Sequence, residues 1–182
     1  MKQSRHSAVS LGFVLATMAA VAAPPLTLNK GDHIAIIGNA LGDRLQHSGH
    51  LETLIHAKFP QHELVFRNLA VAGDEIVTRH RSENFGSPDE WLRKVEADVI
   101  FAFFGYNESF KGYEGLEKFR GDLTKFVSET RAKNFSGRGP ARIVLFSPAA
   151  DEKHTDPNFP DPAANNANLA DYTDAMTDVA RE

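Results

Sequence analysis

Val99-Ile100-Phe101-Ala102-Phe103-Phe104-Gly105 is an unbroken apolar run that ends on a glycine. A run this short and this uniformly apolar predicts a strand buried on both faces, because a strand with one wet face alternates polar and apolar residues. His33-Ile34-Ala35-Ile36-Ile37, stopping at Gly38, has the same character, and so does Ile143-Val144-Leu145-Phe146, stopping at Ser147-Pro148. Leu64-Val65-Phe66, followed by Arg67-Asn68, is a shorter fourth strand. Helical patterns separate them. Leu41, Leu45, Leu51, Leu54 and Ile55 predict one helix running up to Pro60; Leu116, Phe119, Leu123, Phe126 and Val127 form one stripe; and Asn168–Ala180 is helical again. Doubly buried strands alternating with amphipathic helices predict an α/β fold, a three-layer α/β/α sandwich around a parallel sheet of about four or five strands. Thr78–Asp89 and the proline-bearing Ala149–Asn165 are expected loops.

Composition narrows the function classes. The chain has 182 residues, 42% apolar and 24% charged, a formal net charge of −4 and no cysteine. This is the make-up of one globular domain. Without cysteine there is no disulfide framework, thiolate nucleophile, zinc ribbon or covalent c-type haem. A mildly acidic chain with no basic block argues against nucleic acid as a partner. At the N-terminus Lys2, Arg5 and His6 precede the apolar stretch Ala8–Ala23, which ends in Val21-Ala22-Ala23 before Pro24-Pro25. That pattern predicts a secretory signal peptide over residues 1–23 and a secreted or periplasmic mature domain over 24–182. The apolar stretch falls short of the roughly 20 residues of a spanning helix, so no membrane span is expected in the mature chain. Glu182 falls inside a helical pattern with no capping signal, so the domain is expected to be incomplete at its C-terminus.

In parallel sheets the binding crevice lies outside the carboxyl ends of the strands. The segments of interest are therefore Gly38–Asp43, Asn68–Glu75, Gly105–Ser109 and Ser147–His154. Gly38-Asn39-Ala40-Leu41 opens the first helix, where backbone N–H groups favour anions. It lacks the further glycine of a dinucleotide fingerprint and the Lys-Ser/Thr of a P-loop, so no cofactor is expected. Asn68-Leu69-Ala70-Val71-Ala72-Gly73-Asp74 and Gly105-Tyr106-Asn107-Glu108 follow the second and third strands and could bring an amide side chain and a backbone N–H together from separate loops. Such donors, aimed at one developing oxyanion, are each worth about 3 kcal/mol; the plainer role of each is to brace its own turn. His47 and His50, with Asp43 one turn earlier, have the spacing of a shared helix face but too few ligands for a metal, and none is expected. Glu52 and His56 are an ordinary i, i+4 helix pair.

Three strand-end motifs in this order resemble those of the GDSL/SGNH hydrolase family. Its Gly-Asp-Ser-Leu block matches Gly38-Asn39-Ala40-Leu41, its second-block glycine matches Gly73 preceded by Asn68, and its Gly-x-Asn-Asp block matches Gly105-Tyr106-Asn107-Glu108. The resemblance spans about residues 31–182 and implies a flavodoxin-like, SGNH-type sheet and hydrolysis of carboxylic esters, including acyl and acetyl groups on lipids and carbohydrates. It implies oxyanion positions at Gly73 and Asn107. The segment Gly105-Tyr106-Asn107-Glu108-Ser109 is most similar to a branch in large exported bacterial proteins, some with haem-binding partner domains. The sequence departs from the family at the attacking group. The nucleophile position is Ala40, whose methyl cannot attack, and the adjacent acid is Asn39. The family's C-terminal Asp-x-x-His is matched only in letters by Asp151-Glu152-Lys153-His154, too early in the chain. Ser109 and Ser147 are other strand-end hydroxyls, neither at a strained strand-to-helix turn. Two functions follow: an ester hydrolase of weak or absent activity, or a non-catalytic module of a larger exported protein that recognises an acyl, acetyl or sugar ligand.

Overall fold

The computed structural model describes residues 25–182; the signal peptide expected over residues 1–23 lies outside them. Four strands, β1 (His33–Gly38), β2 (Val65–Asn68), β3 (Val99–Phe103) and β4 (Arg142–Phe146), pair in parallel in the order β2-β1-β3-β4. The register sets Phe103 beside both Gly38 and Phe146, so β1, β3 and β4 finish at a common level, and Asn68 beside Ile36, so β2 ends two residues short of them. Six helices cover the sheet: α1 (Ala40–Arg44), α2 (His50–Lys58), α3 (Pro88–Lys94), α4 (Tyr106–Ser109), α5 (Gly112–Arg131) and α6 (Ala163–Arg181).

The continuous apolar runs divide between two layers because side chains alternate along a strand. Ala35, Ile37, Ile100, Ala102 and Phe104 pack with the helical residues Leu92, Phe119, Leu123, Tyr172 and Met176. Ile34, Ile36, Phe66, Val99, Phe101 and Phe103 face the opposite layer, against Leu45, Leu51, Ile55 and Phe59. The three-layer parallel α/β architecture expected from the sequence is the architecture observed.

Three local expectations need correction. The helix expected from Leu41 to Ile55 is broken: α1 gives way to a 3-10 turn at Leu45–His47, and α2 begins afresh after Gly49. His47 and His50 therefore sit on different elements and share no helix face, and Leu54 is 69% exposed. The loop expected over Thr78–Asp89 ends early, because Ser87 caps α3 by accepting from the Glu90 N–H while the Glu90 carboxylate accepts from the Ser87 N–H. The last helix starts at Ala163, inside the expected Ala149–Asn165 loop.

The N-terminal ends of the strands are held by charge. Asp32 and Asp98, which precede β1 and β3, are buried. Asp32 pairs with Arg142 at 2.6 Å, and Asp98 accepts from the His33 N–H at 2.9 Å and from Arg138. Burial alone would raise the Asp98 carboxyl, but the bonds from Arg138, His33 and Ser136 together hold it below its ordinary value.

Candidate functional site at the strand ends

The loops after β1, β2 and β3 are laced to one another. The N–H of Asn39 donates to the Phe103 carbonyl at 2.8 Å, and the N–H of Val71 donates to the Gly38 carbonyl at 3.0 Å. This close approach explains Gly38: with φ +114°, a Cβ there would lie 2.0 Å from the Phe103 carbonyl oxygen. Asn39 is buried and caps α1, its carboxamide oxygen accepting from the Leu41 N–H at 3.3 Å. Asn68 crosses to the same helix, donating to the Gly42 carbonyl at 2.8 Å while its oxygen accepts from the Ala70 N–H.

Ala40 is the first residue of α1 and partly buried. Gly73 is exposed, with φ +91° and nothing within 4 Å of where a Cβ would stand, so backbone conformation rather than crowding selects glycine there. Asn107 lies in α4, partly buried, and its Nδ2 donates to the carbonyl of Asp74 at 3.0 Å. That bond engages one of the two amide hydrogens and joins the third motif to the residue next to Gly73. Asn107 is thus bonded to the second-motif loop and not to its own turn.

Glu108 is the residue that sequence reasoning passed over. Its buried carboxylate accepts from the Ile76 N–H at 2.9 Å and from the Gly105 N–H at 2.9 Å, tying α4 to the second loop. Burial pushes its carboxyl above the ordinary glutamate value, with the backbone bonds pulling the other way. A glutamate three residues after Gly105, at the mouth of a short helix, is the spacing at which a side chain returns to the capping N–H, and it was legible.

The fourth strand end is organised differently. The Asp151 carboxylate accepts from the Tyr106 hydroxyl at 2.7 Å and from Asn165 at 2.7 Å, and the bond to Asp151 raises the Tyr106 phenol above its ordinary value. His154 is exposed and rests on the Phe159 ring, centroids 4.4 Å apart. Both oxygens of Asp151 are thus committed away from His154. Ser109 is fully buried and donates to the Tyr106 carbonyl at 2.7 Å, which removes it as an attacking hydroxyl; Ser147 is exposed.

No protein-family model and no curated protein matches this sequence. Likeness emerges at the level of the fold. A gut microbial diltiazem-metabolizing enzyme superposes with a TM-score of 0.59 at 17% identity, over 85% of this chain and 35% of that one. A protein of Slackia heliotrinireducens assigned as an SGNH hydrolase superposes with a TM-score of 0.50 at 12% identity, over 82% and 76% of the two chains. The psychrotrophic esterase EstA from Pseudoalteromonas sp. gives 0.49 at 19% identity, over 81% and 73%. The chain spans 35% of the length of the first of these, so its match to that protein is partial. The fold is SGNH-hydrolase-like.

Proposed function

We propose that this chain is an exported SGNH-type domain whose strand-end site recognises an acyl, acetyl or sugar ester without attacking it through a serine. One observation carries the reading: the residue that opens α1 behind the Gly38 turn is Ala40, a methyl at the position where the resemblance places the family's serine. The rest of the surroundings agrees with it. A serine needs an adjacent base to become a nucleophile, and the two groups with the letters of one, Asp151 and His154, are directed elsewhere. Gly73 and the second amide hydrogen of Asn107 are the donors to which we assign the ligand oxygen. Stripped serine enzymes keep about 10³–10⁴-fold catalysis over water from such donors and binding alone, so slow ester turnover is compatible with a binding role. Export rests on residues 1–23, whose loss would leave 159 residues. No helix among the described residues is long and apolar enough to cross a membrane.

The deciding experiment is treatment of the folded chain with a fluorophosphonate probe, beside a binding titration with a small acetylated sugar. No covalent label and saturable binding, weakened about 10-fold by Asn107→Ala through loss of a buried donor, are expected. Stoichiometric labelling would establish an enzyme, and unchanged affinity in Asn107→Ala would remove the assigned site.

A further inference from the structure

A cavity of about 410 Å³ opens between the second-motif loop and the segment running from Arg79 to Trp91. Its volume falls in the range of about 300–1,000 Å³ in which small-molecule sites are found. Ile37, Leu69, Val71, Phe85 and Trp91 give it apolar walls, and Asp74, Arg79 and Arg81 give it charge. Asn68, Val71 and Asp74 of the strand-end lattice are in the lining while Ala40, Gly73 and Asn107 are not, so the cavity borders the proposed strand-end site without including its assigned donors.

The charges do not balance. Arg81 holds Asp74 with two bonds of 2.8 and 2.7 Å, and the two cancel. Arg79 is different. Its Nε is buried with no hydrogen-bond partner among the described residues. Its guanidinium lies over the rings of Phe104, at 5.1 Å, and Phe126, at 5.9 Å. Asp89, which pairs with Lys133 at 2.8 Å, and Glu108, which takes two backbone N–H groups, lie close enough to act on Arg79 through space, but neither makes a hydrogen bond to it among the described residues. Burial draws the Arg79 guanidinium below its ordinary value, Asp74 opposing. Arginine nonetheless stays protonated in proteins, and a buried cation is costly until an anion meets it. Aromatic faces offset only part of that.

The walls also select. Trp91 is not an open stacking face of the kind a sugar ring uses: Lys94 sits 4.2 Å over it, the Phe85 ring is 5.1 Å away, and its indole N–H donates to the Phe85 carbonyl. We propose that this cavity binds a small apolar carboxylate, its charged end on Arg79 and its hydrocarbon against Ile37, Leu69, Val71 and Phe85. An acid of this kind has the chemistry of a product released from an ester.

The chain's single tryptophan, Trp91, lines the cavity, so its fluorescence reports occupancy directly. Titrating the full chain with octanoate should give a saturable change, and the uncharged octanamide should bind about 10–100-fold more weakly, the worth of a hydrogen bond to a charged group. Arg79→Gln should abolish the preference for octanoate. Val71→Phe, at an exposed rim position, should weaken both probes while leaving the circular dichroism unchanged. Equal affinity for octanoate and octanamide, no saturable response, or wild-type octanoate affinity in Arg79→Gln or in Val71→Phe would overturn the proposal. Should Arg79→Gln fail to fold, the octanoate-to-octanamide ratio in the unmodified chain and Val71→Phe decide it.

Discussion

The two ends of the sheet are fastened by different chemistry. At the N-terminal end, Asp32 and Asp98 are buried carboxylates, each paired with an arginine from a later segment of the chain. At the C-terminal end, the loops after β1, β2 and β3 are joined by backbone bonds, by the amides of Asn39, Asn68 and Asn107, and by the carboxylate of Glu108, which bonds backbone N–H groups. A salted latch satisfies itself and leaves nothing for a ligand. A lattice of amides and backbone groups joins the three loops without an ion pair.

The contrast can be broken most forcefully at Gly38. Gly38→Ala drives a Cβ into the Phe103 carbonyl and forces a left-handed φ on alanine, so a loss of about 4 kcal/mol or more is expected, read as failure to fold or a collapsed urea midpoint. A variant of near-wild-type stability would mean that β1 and β3 do not approach as described.

Asp98→Ala tests the other end. It leaves the His33 N–H and Arg138 without their partner, at a cost of about 2–3 kcal/mol. Because the folded Asp98 carboxyl lies below the ordinary 3.8, its contribution is complete above that value and fades as pH falls through the lower folded one. The difference between wild type and variant should therefore shrink on acidification. Glu108→Gln should cost about 1–3 kcal/mol, since the amide NH2 would face a backbone N–H. Its pH signature has the opposite sign. The folded Glu108 carboxyl lies above the ordinary 4.5, so its favourable contribution is complete below that value and is lost as pH rises through the raised one. Urea midpoints measured across pH should show the wild-type decline on that side flattened in Glu108→Gln. Identical pH profiles for the two variants would dissolve the distinction between the ends.

Tyr106→Phe is the mildest test. It releases one oxygen of Asp151 and should cost about 1 kcal/mol, with faster amide exchange in the segment after β4 and unchanged exchange in β1 and β3. Protection lost equally throughout would show that the fourth loop is part of the same lattice as the first three.

Much of this was readable in advance, for reasons that differ element by element. β1 and β3 are runs too apolar to be wet on either face and are buried as expected. The edge strands β2, with its exposed Arg67, and β4, expected to be buried on both faces, are only partly covered. The helix α5 carries a stripe that only a buried helix would keep. The break between α1 and α2 falls at Ser48-Gly49, where Gly49 takes a left-handed φ of 61°; the apolar spacing of Leu41 to Ile55 masks this turn signal. The start of α3 was readable and passed over, since Ser87-Pro88-Asp89-Glu90 is a capping box with proline in the first turn. At the candidate site, the strand-end segments were legible by position, and Asn107 and Gly73 within them were picked out by the motif resemblance. That Asn107 would spend one hydrogen on Asp74, and that Glu108 would be the tie between α4 and the second loop, depended on how far apart two loops stand in space.

Hydrophobic pattern is a local property, written residue by residue, and it settled the parallel three-layer architecture. That residue 40 carries no hydroxyl is equally local. Pairing is not local. Which carboxylate meets which arginine, why Asp151 turns from His154 toward Tyr106, and why Arg79 is left over two phenyl rings with its Nε unbonded among the described residues were decided only when distant segments packed together. The energy of a charge or a hydrogen bond depends on a partner's distance and burial, and neither is written in the order of the residues.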